Sequence, residues 1–380
     1  MELSVLLITT HRQFRDFIQL PYLLHSDNPN WVPPLQIMVK DSLNIKKNPF
    51  YAHAERVLWI AYRRNKPVGR IAFILNKKHN EFHRENAGFW GFFETENNIE
   101  TASALFNEVE KWAMQKKLTI LRGPMNPSMN HECGLQISAY DTKPFIMMTQ
   151  NPSYYPNLIE LMGHHKAKDL HAWLLSQDTI SFHPRLLQQA NSVFNLDEVT
   201  IRYLNKREYL SKLEQLFVIY NEAWEENWGF TPMSHQEFIH LCKEMKNILT
   251  SKSILIIEVK GEIAAFGIWI PDINQVLSKI HRGKLFPIGL LQLIWHTKIN
   301  KKTINQGRIP LLGVLKKFRH LKLGALLYAT FLKNLDLAGC RYTECSWILE
   351  DNRAMRTGLR LMNAKQYKTY RIYEKILTST

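Results

Sequence analysis

Residues 316–325 read Lys-Lys-Phe-Arg-His-Leu-Lys-Leu-Gly-Ala, a cationic turn running into an apolar helical stretch and following an apolar strand. The first turn of a helix offers unpaired N–H groups and a partial positive charge, so such a junction is a natural seat for phosphate. Gly324 and Ala325 let the backbone approach a ligand, and Arg319, His320 and Lys322 supply charge. The wider window is as unusual. No acidic residue lies between Asp272 and Asp336, yet those 63 positions hold twelve cations: Lys279, Arg282, Lys284, Lys298, Lys301, Lys302, Arg308, Lys316, Lys317, Arg319, Lys322 and Lys333. They account for twelve of the fifteen excess positive charges of the chain. The window also carries an apolar run, Leu285 to Trp295, between Lys284 and Lys298. A ligand with a phosphate end and a greasy end would need all three features. The run itself has two readings, an interfacial segment facing lipid or a core helix.

Other groupings are weaker. Asn126, Ser128, Asn130, His131 and Glu132 form a polar cluster that reads either as a head-group pocket or as a turn closed by Asx hydrogen bonds. Trp224, Trp228 and Phe230, with Asn227 among them, line a groove for a long chain or fill core. His79, His83 and His131 with Glu132 lack the helical spacing of a metal site, and no metal is expected. Cys133, Cys242, Cys340 and Cys345 show neither ligand nor redox spacing, which favours the reducing cytoplasm. Nucleic acid is an unlikely partner, because the basic window is broken by the apolar run and contains no reading module. Residues 1–8 read as a first strand rather than a signal peptide, having no basic leader. No stretch approaches the ~20 apolar residues of a membrane span.

Stepping outward to the supporting elements, 380 residues with 45% hydrophobic content suffice for two domains. The N-terminal half predicts a hairpin, 57–61 and 68–75, a third strand 87–94, a helix 99–117 and a short strand 118–121. Asn151 then opens a helix leading into a strand at 164–173. The C-terminal half repeats this order: a hairpin 254–259 and 263–270, a strand 309–315, a helix 323–338 and a strand 342–348, with Asn352 opening a helix before a strand at 366–375. Leu361-Met362-Asn363 echoes Leu161-Met162-Gly163. The repeat predicts tandem related domains, 1–178 and 179–380, with a basic and apolar insertion at about 273–308.

The turn resembles the acyl-CoA site of the GNAT superfamily, Arg/Gln-x-x-Gly-x-Gly/Ala. Arg319 matches the first position and Gly324 the last, while Lys322 stands where the middle glycine belongs. A closer resemblance rests on Asn48 to Glu55, Gly88 to Glu94, Arg122 to Asn130, Tyr220 to Phe230 and Ser346 to Asn352; these phrases are similar to the GNAT-like family that includes bacterial ceramide synthases. The resemblance implies an α/β fold of tandem GNAT-like domains, each a mixed, mainly antiparallel sheet flanked by helices, the first being degenerate and on the acceptor side. It implies backbone pairing of pantetheine with the strand carrying Leu312 and Val314, a splayed following strand, and an Asn at the next helix, where Asn352 stands. The helical Tyr that often protonates the thiolate is absent; Met355 and Leu359 occupy that region.

That resemblance implies transfer of a fatty acyl group from acyl-CoA to the amine of a sphingoid base. Removing a proton from the attacking amine needs a base. Glu344, Glu350 and Asp351, at or just after the splayed strand, are the candidates, with Ser346 as a hydrogen-bonding partner. Substrate contacts are expected from Asn126, Ser128, Asn130, Glu132, Trp224, Asn227 and Trp228. A soluble amine or peptide acceptor, or a non-catalytic protein that binds anionic membrane or another partner, are the rival readings. The expected location is the cytoplasm, including the inner face of its membrane.

Overall fold

The computed structural model describes residues 2–300, 303–337 and 339–377. Lys301 and Lys302 of the basic window, and Ala338 of the expected helix, lie outside the described residues. In chain order the N-terminal part contains β1 (Leu3–Leu7), α1 (His11–Leu24), α2 (Gln36–Ser42), β2 (Ala54–Arg63), β3 (Lys66–Asn76), α3 (Lys77–His83), β4 (Ala87–Thr95) and α4 (Ile99–Gln115). There follow β5 (Ile120–Gly123), the short β6 (Met125–Asn126), β7 (Glu132–Cys133) and β8 (Leu135–Gln136), α5 (Tyr155–Leu161) and β9 (His165–Ser176). Next come α6 (Pro184–Phe194), β10 (Val199–Tyr203), α7 (Lys206–Ser211), α8 (Leu213–Trp224), α9 (His235–Met245), β11 (Ile254–Val259), β12 (Glu262–Pro271), α10 (Asn274–Leu277) and α11 (Leu290–Ile294). The chain ends with β13 (Gln306–Val314), α12 (Leu323–Leu337), β14 (Tyr342–Leu349), α13 (Arg353–Arg360) and β15 (Lys365–Ile376).

Two compact units result. One comprises Met1–Leu170, Val276–Trp295 and Thr369–Thr380; the other comprises His171–Gln275 and His296–Lys368. The division at 178/179 remains a reading of the sequence repeat, which a grouping by contacts does not address. In the first unit the strand order is β1-β2-β3-β4-β5-β15, antiparallel except for the β4–β5 pair. In the second it is β9-β14-β13-β12-β11-β10, with β13 and β14 parallel.

Local chemistry explains the elements. The β2–β3 turn places Arg64 and Asn65 at φ 51° and 62°, and the β11–β12 turn places Lys260 and Gly261 at 52° and 80°. Two left-handed central residues are what a two-residue hairpin requires. Asn98 caps α4 through Glu100 N, and Ser234 with Glu237 forms a capping box on α9. Asn151 does not open α5 as expected. Its side chain accepts from Gln136 N at 3.2 Å, and α5 begins at Tyr155 with Pro156 in its first turn.

Each unit has its own core. In the first, Phe73, Trp90, Phe93, Leu105, Phe106 and Tyr155 pack between the sheet and α4. In the second, Leu255, Ile257, Ala265, Leu327 and Phe331 pack between the sheet and α12. The apolar run Leu285–Trp295 is no core helix: Phe286, Ile288, Leu291, Ile294 and Trp295 are all exposed.

One buried group couples the first core to pH. His164 is fully buried against Trp90 and Phe106, and neither ring nitrogen has a hydrogen-bond partner. Burial, aided by Lys375 and His165, pushes its pKa down to about 3. The folded ring therefore stays neutral while the unfolded one binds a proton near pH 6.5, so stability falls as pH drops below that value. Between pH 7 and pH 5 the expected loss from this ring is about 2 kcal/mol at 1.36 kcal/mol per pH unit. Glu85, which burial pushes up but His79 and Arg122 pull down to about 2, loses its contribution only below about pH 4.5. Denaturant titrations at pH 7 and pH 5 should show a loss larger by about 2 kcal/mol in the wild type than in His164→Leu.

Candidate active site

Pro310 sets the geometry of the second unit. Parallel pairing between β13 and β14 runs Gln306–Tyr342, Gly307–Thr343, Arg308–Glu344 and Ile309–Cys345, then stops. The next residue has no N–H to give to a ladder. On its other edge β13 stays paired with β12 through Leu311, Leu312, Gly313 and Val314, with a register shift opposite Ile309 and Pro310. The strands thus continue to Val314 and Leu349 without pairing to each other, leaving a fork. Leu312 and Val314 turn their side chains to the core while their strand borders the opening.

A buried polar cluster stands at the vertex. Arg308 and Glu344 are the last paired rung but one, 2% and 0% exposed. Arg308 Nε donates to Ser346 Oγ at 2.8 Å and Nη2 to the Ser346 carbonyl at 3.0 Å. Ser346 Oγ in turn donates to Glu344 Oε1 at 2.6 Å, and Tyr367 OH donates to Glu344 Oε2. The Arg308 guanidinium also lies over the Trp347 ring, 5.0 Å from its centroid. The two charges are 3.8 Å apart. Cys345 is not a nucleophile here: burial, with Glu344 adding to it, pushes its thiol up to about 12.

Of the expected bases, Glu344 and Ser346 come together; Glu350 and Asp351 do not join them. Leu349 ends β14, roughly 16 Å along the strand from Glu344 at ~3.3 Å per residue. There the Glu350 carbonyl accepts from Arg356 and the Asp351 carbonyl from Arg353 N. Asn352 caps α13, accepting from Met355 N at 3.1 Å. Arg308 and Tyr367 carried no site signal in the sequence. Arg308 counted only as one of twelve cations, although its register with Glu344 follows from pairing two parallel strands. Tyr367 arrives on a different strand, with nothing local to mark it. Near the missing helical Tyr, Tyr328 of α12 donates to the Met355 sulfur at 3.0 Å.

The cationic turn follows β13 as expected; its cations are exposed, while Phe318 and Leu321 pack against the core. Its charges are met by carboxylates at the end of α8: Lys316 N donates to Glu222, Lys316 Nζ lies 2.8 Å from Glu225 and 3.5 Å from Glu226, and Arg319 Nη1 lies 3.4 Å from Glu226. Lys317 pairs with Glu262 at 2.6 Å. A Cβ on Gly324 would meet nothing within 4 Å, so the backbone there faces open space beside half-buried Ala325. His320 is exposed. Lys322 sits at φ 57°, ψ 34°, the left-handed region a glycine occupies without cost.

Trp224 stacks on Tyr220 with centroids 5.0 Å apart and lies against Gly313, where a Cβ would come within 2.7 Å of its ring. Asn227 and half-buried Trp228 lie in the turn that follows. In the first unit, Asn126 takes the N–H of Phe92, which a bulge in β4 with φ 49° turns away from the sheet. Ser128 binds His131 Nδ1 at 2.8 Å and Asn130 N at 3.3 Å, and Glu132 pairs with Asn126 across β6 and β7. Ser128 thus closes its own turn, while Asn126 ties that turn to β4. Among the described residues, no three of His, Cys, Asp and Glu converge to hold a metal ion.

The chain matches no family model. It is 34% identical over 381 residues to the bacterial ceramide synthase of Caulobacter vibrioides (strain NA1000 / CB15N), covering 99% of this chain and 98% of that one. It is 32% identical over 363 residues to Protein YghO of Escherichia coli (strain K12), covering 94% and 92%. Among solved structures it is similar to a tandem GNAT protein from the clavulanic acid biosynthesis pathway, with a TM-score of 0.60 at 11% identity over the whole of both chains. A GCN5-related N-acetyltransferase from Sphaerobacter thermophilus gives 0.54 at 11% identity, covering 99% and 96%.

The left-handed lysine gives a direct test of the turn. Replacing Lys322 with glycine, the residue the GNAT pattern has there, should raise stability by about 1 kcal/mol by relieving the left-handed penalty. An unchanged denaturation midpoint would show that the lysine is not strained. The fold is that of tandem GNAT proteins, and with relatives this similar over nearly its whole length the chain belongs to the family of the bacterial ceramide synthase.

Proposed function

We propose that this protein transfers a fatty acyl group from acyl-CoA to the primary amine of a sphingoid long-chain base. The observation that carries the reading is the fork between β13 and β14, with Arg308, Glu344, Ser346 and Tyr367 at its vertex and the cationic turn at its far end. Pantetheine would extend along the open edge of β13 past Leu312 and Val314. Its phosphates would rest on Arg319, His320, Lys322 and the backbone at Gly324 and Ala325, with Asn352 at the mouth of α13. To reach that seat they displace Glu225 and Glu226, whose pairs are solvent-exposed and therefore weak. Trp224, packed against Gly313, would flank the bound donor, with Asn227 and Trp228 in the turn that follows it.

The thioester then lies where the strands part. An amine attacking its carbonyl must lose a proton as the C–N bond forms and the C–S bond breaks. Ser346 passes that proton to Glu344: the amine N–H gives to Oγ as the Ser346 proton moves to Oε1, leaving Glu344 neutral and CoA as thiolate. Arg308 and Tyr367 are positioning residues that hold Ser346 and Glu344 in register. Holding the reactants in line does most of the work, because a thioester is already activated. The lipid name of the Caulobacter relative supports the long-chain acceptor. Cytoplasmic acyl-CoA and a bilayer-resident amine would meet at the inner membrane face, and among the described residues no helix is long and apolar enough to cross a membrane.

Purified protein incubated with long-chain acyl-CoA and sphinganine, or its 3-keto form, should release CoA; no release at any chain length would end this reading. Arg319→Ala should raise the acyl-CoA KM about tenfold with little change in kcat, and Glu226→Gln should lower it about two- to fivefold. Glu344→Gln should cost about 100-fold or more in kcat. Tyr367→Phe should cost about tenfold and shift the pH profile, which a purely structural tyrosine would not do.

A further inference from the structure

The segment Val276–Trp295 inverts the usual arrangement of a surface helix. Its buried apolar side chains, Val276, Leu277 and Ile280, come before Leu285. Its large apolar side chains then point outward: Phe286 is 65% exposed, Ile288 67%, Leu291 66% and Trp295 52%. Ile288, Leu291 and Trp295 stand at i, i+3 and i+7, one stripe of a helix. Single exposed hydrophobics are ordinary, but a contiguous apolar stripe marks a surface that something covers.

The stripe is held in place. Gly283, at φ 63°, packs so closely that a Cβ would come within 2.1 Å of the Pro34 carbonyl and 2.8 Å of the Tyr22 ring. Gln36 Nε2 donates to the Arg282 carbonyl at 3.0 Å. Just beyond that bond α2 presents two more exposed apolar side chains, Ile37 and Met38. Lys279, Arg282 and Lys284 precede the stripe in the chain and are exposed, and no acidic residue lies between Asp272 and Asp336 to offset them. A protein partner matched to such a face would have to supply both acid and grease, whereas an anionic bilayer supplies phosphates above and hydrocarbon below in that order. Large aromatics at the level of the head groups, as Phe286 and Trp295 would be, fit the same surface.

We propose that Phe286, Ile288, Leu291 and Trp295, together with the exposed cations Lys279, Arg282 and Lys284 that precede them in the chain, form a docking face for an anionic phospholipid membrane. The segment lies on the bilayer and does not cross it. The inference goes beyond the acyl-transfer reading and does not need it, because vesicle binding is measured without substrate. The full chain should sediment with vesicles containing about one third phosphatidylglycerol and much less with pure phosphatidylcholine, and added salt should weaken it. The triple variant Phe286→Ser/Leu291→Ser/Trp295→Ser should bind at least about tenfold more weakly, with unchanged thermal unfolding because these side chains are exposed. If its unfolding does shift, the single Leu291→Ser should still weaken binding several-fold. Lys279→Gln/Arg282→Gln/Lys284→Gln should abolish the preference for anionic over neutral vesicles. Wild-type protein that ignores both vesicles, or variants that bind as well as wild type, would overturn the proposal. So would a vesicle-free dimer that the triple serine variant dissolves while vesicle binding is absent, since the face would then belong to a second copy.

Discussion

Pro310 has no N–H, and β13 therefore cannot continue its ladder with β14 beyond Ile309. The rest of the site depends on that constraint. A continuous parallel sheet would consume the backbone groups of both strands and leave no edge for a ligand. Because pairing stops on one side only, β13 keeps its antiparallel partner β12 and stays a rigid wall. The opening is thus built into the sheet, with no loop needing to be held apart.

The vertex of this fork is polar and buried. Arg308 and Glu344 are almost wholly removed from water, which is tolerable only for charges that neutralise each other and fill their hydrogen-bonding positions. Ser346 and Tyr367 complete the shell of the carboxylate, one oxygen each. Such an arrangement is costly relative to apolar residues of the same size, so its place at the open end of a sheet is more economically explained by chemistry than by stability. The first unit holds a comparable carboxylate: Glu94, which burial pushes up but His25 and Arg70 hold below the usual carboxylate range, is bonded to His25 and Tyr155.

At the other end of the fork the charge is mobile rather than fixed. The turn keeps Gly324 open on one side and places Lys322 in a conformation that suits glycine better. Its cations pair with glutamates that reach over from α8 and from the start of β12. Exposed pairs of this kind exchange readily with a stronger anion, so a loop can be electrically satisfied alone and still receive phosphates.

Much of this was legible in the chain. The hairpins at 63–67 and 260–262, the helix from Leu323, the strand from Tyr342 and the cap at Asn352 follow from local rules: turn residues that accept positive φ, apolar periodicity, and an Asn before a helix. The cationic turn was legible for the same reason, being a run of adjacent residues. Glu344 and Ser346 could be nominated because they alternate on one strand. What the sequence could not supply was register and exposure. Arg308 became the partner of Glu344 only when two strands 36 positions apart were aligned. Tyr367 joined them from a third strand, and Glu350 was separated from them by the length of an extended chain. The run from Leu285 to Trp295 reads identically whether it is buried or exposed, because periodicity reports which residues share a face and not what that face meets. Sequence determined which groups exist and their local geometry. Tertiary structure alone decided which of them stand within hydrogen-bonding distance and which greasy face is left to solvent, since both are set by contacts between residues far apart in the chain.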